Sequence, residues 1–117
     1  MGHGSRLKGF QDDLKKVARV LRQEGQFAFV ECAYLEITLP SILDTTERVI
    51  RMGAEKILIL PYFLLKGLHT QKDIPRIVKQ AQKIYANRAQ IVLCPYLGYH
   101  EKIKDVIRKR IRQATWK

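Results

Sequence analysis

The chain has 117 residues, of which 46% are hydrophobic and 28% are charged. This length and balance are typical of one globular domain, and they exclude a disordered or fibrous chain. No run approaches the roughly 20 apolar residues that span a bilayer, and the polar, glycine-rich start does not resemble a secretion signal. We therefore expect a single domain, residues 1–117, located in the cytoplasm.

The charge is strongly basic, with 22 Lys and Arg against 11 Asp and Glu and a formal net charge of +11. A field of this sign attracts polyanions. Nucleic acid, an anionic membrane surface and a polycarboxylated small molecule all fit it, and charge alone does not choose among them. The cysteines, Cys32 and Cys94, lie in apolar runs without a Cys-x-x-Cys motif. They indicate buried thiols rather than a zinc ribbon or an iron–sulfur cluster.

The first part of the chain predicts a helix, a strand and a second helix. Apolar residues recur every three or four positions from Leu7, which predicts a helix to about Glu24 that is closed by a glycine. The apolar and aromatic run Phe27–Leu35 predicts a strand. Ser41 is placed to cap the second helix, and Gly53 to end it.

The middle of the chain predicts a buried strand followed by a long loop and a helix. Lys56–Tyr62 contains a continuous apolar run, which is typical of a parallel strand covered on both faces. A loop, Phe63–Asp73, follows it. The third helix begins at Ile74, with Pro75 in its first turn and Asp73 as its N-cap.

The last part of the chain predicts a strand at Gln90–Cys94 and a helix from about Glu101. We expect this helix to bury an apolar face and to expose its many basic residues to solvent. The apolar face comprises Ile103, Val106, Ile107 and Ile111. The resulting order α-β-α-β-α-β-α predicts an α/β fold, a three-layer sandwich with a mainly parallel sheet and right-handed crossovers.

All three histidines of the chain fall where loops follow strands. His69 follows the strand that ends near Tyr62, and His100 follows the strand that ends near Cys94. His3, in Gly2-His3-Gly4-Ser5-Arg6, would follow a strand placed before it, and Glu36 follows Phe27–Leu35. Because such loops meet at the carboxyl edge of a parallel sheet, where ligands bind, we expect these side chains to be neighbours.

Imidazole is the commonest side-chain ligand for borderline divalent metals, and it accepts protons near neutral pH. Histidines with one carboxylate and no cysteine suit cobalt, nickel, iron or zinc. Plain alternatives stay open at this point. A loop histidine such as His100 is often only solvated, Glu36 is placed to cap a helix or pair with a lysine, and Tyr62 is placed to pack at the rim of the sheet.

Five short motifs together resemble a known family. They are Gly2-His3-Gly4-Ser5-Arg6, Ala33-Tyr34-Leu35-Glu36 with Leu39-Pro40-Ser41, Leu60-Pro61-Tyr62-Phe63-Leu64, Gly67-Leu68-His69 with Asp73-Ile74-Pro75, and Pro95-Tyr96-Leu97-Gly98-Tyr99-His100. In this order and spacing they resemble the short, single-domain sirohydrochlorin chelatases of the CbiX type. Each motif is weak alone, but the series is specific and covers nearly the whole chain.

The resemblance implies a class II chelatase with a chelatase-like fold, which is half of a two-domain, flavodoxin-like arrangement. Such enzymes insert a divalent metal (cobalt, iron or nickel) into sirohydrochlorin without ATP, and the metal is substrate, with no organic cofactor. The family's metal-site histidines map onto His3 and His69. We expect Glu36 to relay protons and His100 to be an accessory metal ligand.

Substrate contacts and assembly follow from the same resemblance. Ser5, Arg6 and Tyr62 are expected to bind the polycarboxylated tetrapyrrole, whose charge suits a basic protein as well as nucleic acid does. Short members pair as homodimers, so we expect a homodimer with no membrane or nucleic-acid partner. The alternatives are a non-catalytic tetrapyrrole or metal carrier and, less favoured, a basic nucleic-acid-binding module, although no RNA-binding signature is present.

The sequence departs from the family at its start, because the usual first strand before His3 is missing and Met1 stands in its place. Such a strand is usually central, so its loss leaves a gap of roughly 10 Å between its neighbours with unpaired backbone groups. We expect a destabilised chain, from a mis-called start site or a trimmed sequence. Closure of the flanking strands, or a dimer partner in the gap, are the other options.

Overall fold

The structure, a computed structural model, describes residues 1–114. Its helices are α1 (Asp12–Glu24), α2 (Ile42–Arg51), α3 (Ile74–Ile84) and α4 (Glu101–Gln113), and its strands are β1 (Lys56–Ile59) and β2 (Gln90–Leu93). A π-helical turn, His69–Asp73, leads directly into α3. Among these elements, no helix has both the length and the apolar character that crossing a membrane requires.

The predicted helix boundaries are confirmed where a capping residue defines them. Gly25 has a left-handed φ of 77° and closes α1 by donating its N–H to the Arg22 carbonyl. The Ser41 hydroxyl caps α2 by accepting the Asp44 N–H at 3.1 Å. The start of α1 was predicted too early, because residues 6–11 form turns rather than helix.

The two strands pair in parallel, as predicted, with Lys56 opposite Gln90 and Ile59 opposite Leu93. Their shared inner face carries Ile59 and Ile91, which pack against α2 and α3 in one hydrophobic core. The helical members of that core are Ile42, Ile50, Ile74, Val78 and Ala81. Each buried isoleucine stabilises the fold by about 2 kcal/mol, so this side of the sheet holds the domain together.

The opposite face of the sheet is not buried, which corrects the prediction of a strand covered on both faces. Leu58 and Val92 are paired neighbours there, and their exposed fractions are 48% and 36%. The prediction that α4 buries its apolar face is also wrong, because no residue of α4 is buried and Ile111 is 64% exposed. Two four-residue strands offer too little area to cover a second layer of helices.

The N-terminal residues lie between two segments of the chain. Gly2 donates its N–H to the Ala33 carbonyl and accepts the Leu35 N–H, both at 2.9 Å. On the other side, Tyr62 donates to the Met1 carbonyl at 2.8 Å, and the Met1 amino group donates to the Leu60 carbonyl at 2.6 Å. Residues 1 and 2 therefore lie between the two flanking segments and hydrogen-bond to both of them.

The strand predicted at Phe27–Leu35 is wrong as a regular element. Only Tyr34 forms bridges, to Gly2 on one side and Ser41 on the other. Residues 27–32 have no strand partner within the described part of the chain. A strand exists only where a neighbour completes its ladder of hydrogen bonds, and here the neighbour is limited to the first residues of the chain.

Candidate functional site

The N-terminal loop approaches the segment around Glu36 through a glycine. Gly4 has a φ of +118°, and a side chain at this position would collide with the Glu36 carbonyl oxygen. The Glu36 N–H donates to the His3 carbonyl at 3.0 Å. Only glycine combines this backbone angle with so close an approach, so Gly4 brings His3 to Glu36.

Thr38 locks the next residue of this loop. The Ser5 N–H donates to Thr38 Oγ1 at 3.0 Å, and the same hydroxyl donates to the Ser5 carbonyl at 2.9 Å. One side chain thus satisfies both backbone groups of Ser5. This clamp fixes the chain direction just after His3.

His69 lies on the π-helical turn before α3 rather than in an irregular loop, which corrects the predicted loop at Phe63–Asp73. Its Nδ1 lies 2.9 Å from Asp73 Oδ2. Asp73 makes no side-chain cap hydrogen bond to α3, so its predicted role as N-cap is wrong. Its carboxylate faces His69 instead. Short π-helical turns of this kind are frequent at functional sites.

The N-terminal loop, the segment around Glu36 and the π-helical turn bring three side chains together. The ligand atoms of His3, Glu36 and His69 all lie within 4.8 Å of one another. His3 Nε2 is 3.2 Å from Glu36 Oε1, and the two imidazole rings have centroids 4.4 Å apart. All three side chains are partly exposed to solvent. We call this group the His3–Glu36–His69 cluster.

The cluster has the donor set of a borderline divalent cation, with two imidazole nitrogens and one carboxylate oxygen. An Asp73 carboxylate that accepts the Nδ1 proton of His69 leaves the Nε2 lone pair of that ring free for a metal. His3 Nε2 and Glu36 Oε1, 3.2 Å apart, present a nitrogen and an oxygen ligand to the same cation. The partial exposure leaves room for a ligand beside the metal.

The other residues predicted for the site lie around the cluster rather than in it. His100 is the N-cap of α4, where its Nδ1 accepts the Lys102 N–H at 3.1 Å, and it is not one of the clustered ligands. The Ser5 hydroxyl accepts the Leu7 N–H at 3.0 Å. Arg6 is exposed, and the Tyr62 ring is partly exposed beside Met1.

The loops that carry the cluster, together with the loop before α4, also present exposed apolar side chains. They are Leu7, Ile37, Leu39, Leu64, Leu65, Leu68 and Tyr99. An exposed apolar surface with a few polar groups is typical of a ligand-binding site. The arrangement suits a ligand with an apolar face that lies over metal-binding nitrogens.

Sequence reasoning missed two residues of this site, Asp73 as the partner of His69 and Thr38 as the clamp on Ser5. The spacing of His69 and Asp73, four residues apart on a helical turn, was a usable signal for the first. No local pattern marks Thr38. Its contact with Ser5 joins residues 33 positions apart, so it depends on the fold.

Comparison with known proteins gives consistent matches. A family model described as CbiX matches residues 1–114. The sirohydrochlorin cobaltochelatase of Priestia megaterium is 31% identical over 114 residues, which are 97% of this chain and 37% of that protein. The chloroplastic sirohydrochlorin ferrochelatase of Arabidopsis thaliana is 30% identical over 112 residues, which are 96% of this chain and 49% of that protein.

A solved structure matches the fold. The sirohydrochlorin chelatase SirB from Bacillus subtilis subspecies spizizenii, in complex with cobalt, has a TM-score of 0.87 and 26% identity, and the match covers 96% of this chain and 47% of that chain. This likeness confirms the predicted α/β fold class. The chain spans less than half the length of each of these three proteins.

Proposed function

Because the chain belongs to the CbiX family, as its motifs predicted, we propose that it is a sirohydrochlorin chelatase that inserts a divalent metal ion into the tetrapyrrole without ATP. The observation that carries this proposal is the His3–Glu36–His69 cluster, whose ligand atoms lie within 4.8 Å of one another. Cobalt, iron and nickel all suit this donor set, and the metal is a substrate rather than a resident cofactor. No organic cofactor takes part.

His3 and His69 have two tasks in this proposal. Their neutral imidazoles hold the incoming cation, and each nitrogen that passes the cation to the macrocycle then accepts one of the two pyrrole N–H protons that the metal replaces. Glu36, at 3.2 Å from His3 Nε2, takes a proton from His3 and passes it to solvent. The Asp73 carboxylate keeps His69 in the tautomer that presents Nε2 to the metal.

The loops around the cluster bind the macrocycle. The exposed apolar residues contact its ring face, with Tyr62 at the edge of this surface. Arg6 is exposed and has no carboxylate within 4.0 Å among residues 1–114, so its guanidinium is available for a substrate carboxylate. Ser5, which Thr38 holds in place, presents its hydroxyl beside Arg6.

We also propose that the protein works as a cytoplasmic homodimer without membrane or nucleic-acid partners. The support is the exposed apolar face of α4, with Val106, Ile107 and Ile111, and a length below half that of the Priestia megaterium and Arabidopsis thaliana relatives described above. A second copy would cover that face. Two copies together would have about the length of one of these longer relatives.

Anaerobic metallation of sirohydrochlorin with each metal in turn, followed by absorbance, tests the function. We expect acceleration over the spontaneous reaction, and a loss of about a hundredfold or more in His3→Ala and in His69→Ala. The matched control is His100→Asn, which removes an imidazole outside the cluster and keeps a residue that caps α4. Tight binding of tetrapyrrole without acceleration would indicate a carrier. Full activity in both alanine variants would overturn the site.

A further inference from the structure

One side of α3 forms a basic stripe that begins beside the cluster. Lys72, Arg76, Lys79 and Lys83 are spaced by four, three and four residues, which places them on the same side of a helix. Together with Pro75 they line a shallow groove of about 620 Å³. We call these four residues the α3 stripe.

Three of the four charges of the α3 stripe have no carboxylate partner within the described chain. Helix α3 has no acidic residue between Ile74 and Ile84. Among residues 1–114, no carboxylate lies within 4.0 Å of Lys72, Lys79 or Lys83. Arg76 lies 3.6 Å from Asp73 Oδ1, but the other oxygen of that carboxylate faces His69.

Helix α4 is also basic, so charge alone does not single out the α3 stripe. Lys104 pairs with Glu101 at 2.8 Å, and Arg108 pairs with Asp105 at 3.9 Å, but four other basic residues of α4 have no carboxylate partner among residues 1–114. What distinguishes the α3 stripe is that it begins on the turn that carries His69.

The position of the α3 stripe links it to the cluster. Lys72 lies on the same π-helical turn as His69, and Arg76 and His69 contact the same Asp73 carboxylate. From Lys72 to Lys83 the stripe extends for about 16 Å along the helix at 1.5 Å per residue. An anion bound over the cluster is thus nearest to Lys72 and Arg76, with two more cations behind them.

We infer that the α3 stripe is the docking surface for the peripheral carboxylates of the tetrapyrrole, and that it draws the macrocycle to the His3–Glu36–His69 cluster. This inference rests on the proposed function, because it takes the ligand to be a polycarboxylated tetrapyrrole. Lys72 and Arg76 contact carboxylates of the bound substrate. Lys79 and Lys83, which lie farther away, act by attraction through solvent and raise the rate of encounter.

The test compares two triple charge reversals of equal size in the full chain, Lys72→Glu/Lys79→Glu/Lys83→Glu on α3 and Lys102→Glu/Lys109→Glu/Arg112→Glu on α4. Binding of metal-free sirohydrochlorin is measured by fluorescence, and metallation by absorbance. We expect the α3 variant to bind about tenfold more weakly at low salt, with KM raised and kcat unchanged, and the α4 variant to change by about twofold or less. The melting temperature of each variant, which should equal that of the parent chain, checks that the variant is folded.

Two further comparisons, one of single charge reversals and one with an uncharged ligand, complete the test. The single reversals should rank in the order Lys72, Lys79, Lys83, and the neutral methyl-ester form of the macrocycle should bind all variants alike. Equal losses in the α3 and α4 variants would overturn the inference, because they would reflect net charge alone. The inference would also be overturned if the α3 variant lost binding to an RNA oligonucleotide but still bound the macrocycle as the parent chain does. Because binding is measured without metal, it separates this inference from a failure of metallation itself.

Discussion

The Nδ1 atom of His69 lies 2.9 Å from Oδ2 of Asp73, one π-helical turn along the chain. The same ring offers a ligand atom within 4.8 Å of those of His3 and Glu36. Since the hydrogen-bond partner of a histidine fixes its tautomer and orientation, the geometry of the cluster depends on Asp73, which lies outside it.

We expect Asp73→Asn to lower metal affinity and metallation by about 10- to 100-fold while the fold is kept. The amide can donate as well as accept, so the proton on Nδ1 of His69 is no longer enforced. Nitrogen NMR shifts of the His69 ring should show a change in tautomer. Asp105→Asn, which removes a carboxylate paired with Arg108 on the surface, is the control. An unchanged tautomer in Asp73→Asn would contradict the positioning role.

Gly4→Ala should unfold the N-terminal loop. The φ of +118° and the approach of the Glu36 carbonyl leave no room for a methyl group. Backbone strain of this kind costs about 1–3 kcal/mol, and the clash adds to it. Denaturant unfolding measures the loss. Gly67→Ala, where an added methyl meets no atom within 4 Å, should change the free energy of unfolding by about 0.5 kcal/mol or less. Similar effects in both variants would refute this explanation.

Tyr34→Phe should stabilise the protein by up to about 1 kcal/mol, since the buried Tyr34 hydroxyl makes no geometrically sound hydrogen bond within the described residues and has only the weakly bonding Cys32 sulfur beside it. Burial, and then the charge and hydrogen bonding of Cys32, raise the pKa of Tyr34 above its usual 10.0. The unfolded chain therefore releases this proton first as pH rises, and stability falls above about pH 10. Tyr34→Phe should reduce that alkaline loss.

The exposed Tyr99, whose hydroxyl donates to Glu101, offers the control for this prediction. Tyr99→Phe should leave both the stability at neutral pH and its decline in alkali nearly unchanged. Thermal unfolding followed at several pH values gives both quantities. A Tyr34→Phe variant that is less stable than the parent at neutral pH would show that the hydroxyl has a partner.

An apolar N-terminal extension should stabilise the domain. The Met1 amino group donates to the Leu60 carbonyl, and burial lowers its pKa from the usual 8.0. Between the lowered pKa and 8.0 the unfolded chain binds more protons, so stability should rise with pH in that window. A preceding residue replaces the amino group with an amide, which removes both the charge and this pH dependence.

Val-Val-Ile-Val added before Met1 can also extend the hydrogen bonds that Met1 makes to Leu60 and Tyr62 and that Gly2 makes to Ala33 and Leu35. We expect a higher melting temperature than in the parent chain, by several degrees. The matched control is Gly-Ser-Gly-Ser, which supplies the amide without apolar side chains or strand propensity. Equal gains from the two extensions would show that only the amino charge matters.

Local patterns predicted the helices best, because their ends depend on neighbours in sequence. Ser41 and Gly25 mark helix ends through their own side chain and backbone angle. The strand at Phe27–Leu35 was predicted wrongly because its ladder needs a partner from elsewhere in the chain. The exposure of α4 also escaped prediction, since an apolar stripe indicates what a helix can bury and not whether a surface lies opposite it.

The sequence by itself determined the α/β class, the order of the elements from α2 onward, the parallel pairing and the approach of His3, Glu36 and His69 to one another. These follow from periodicity and from the rule that loops after parallel strands meet. Only the tertiary structure decided that the three ligand atoms converge within 4.8 Å, that Asp73 orients His69 and that Thr38 clamps Ser5. Such contacts join distant residues through ångström-scale packing, which residue spacing does not encode.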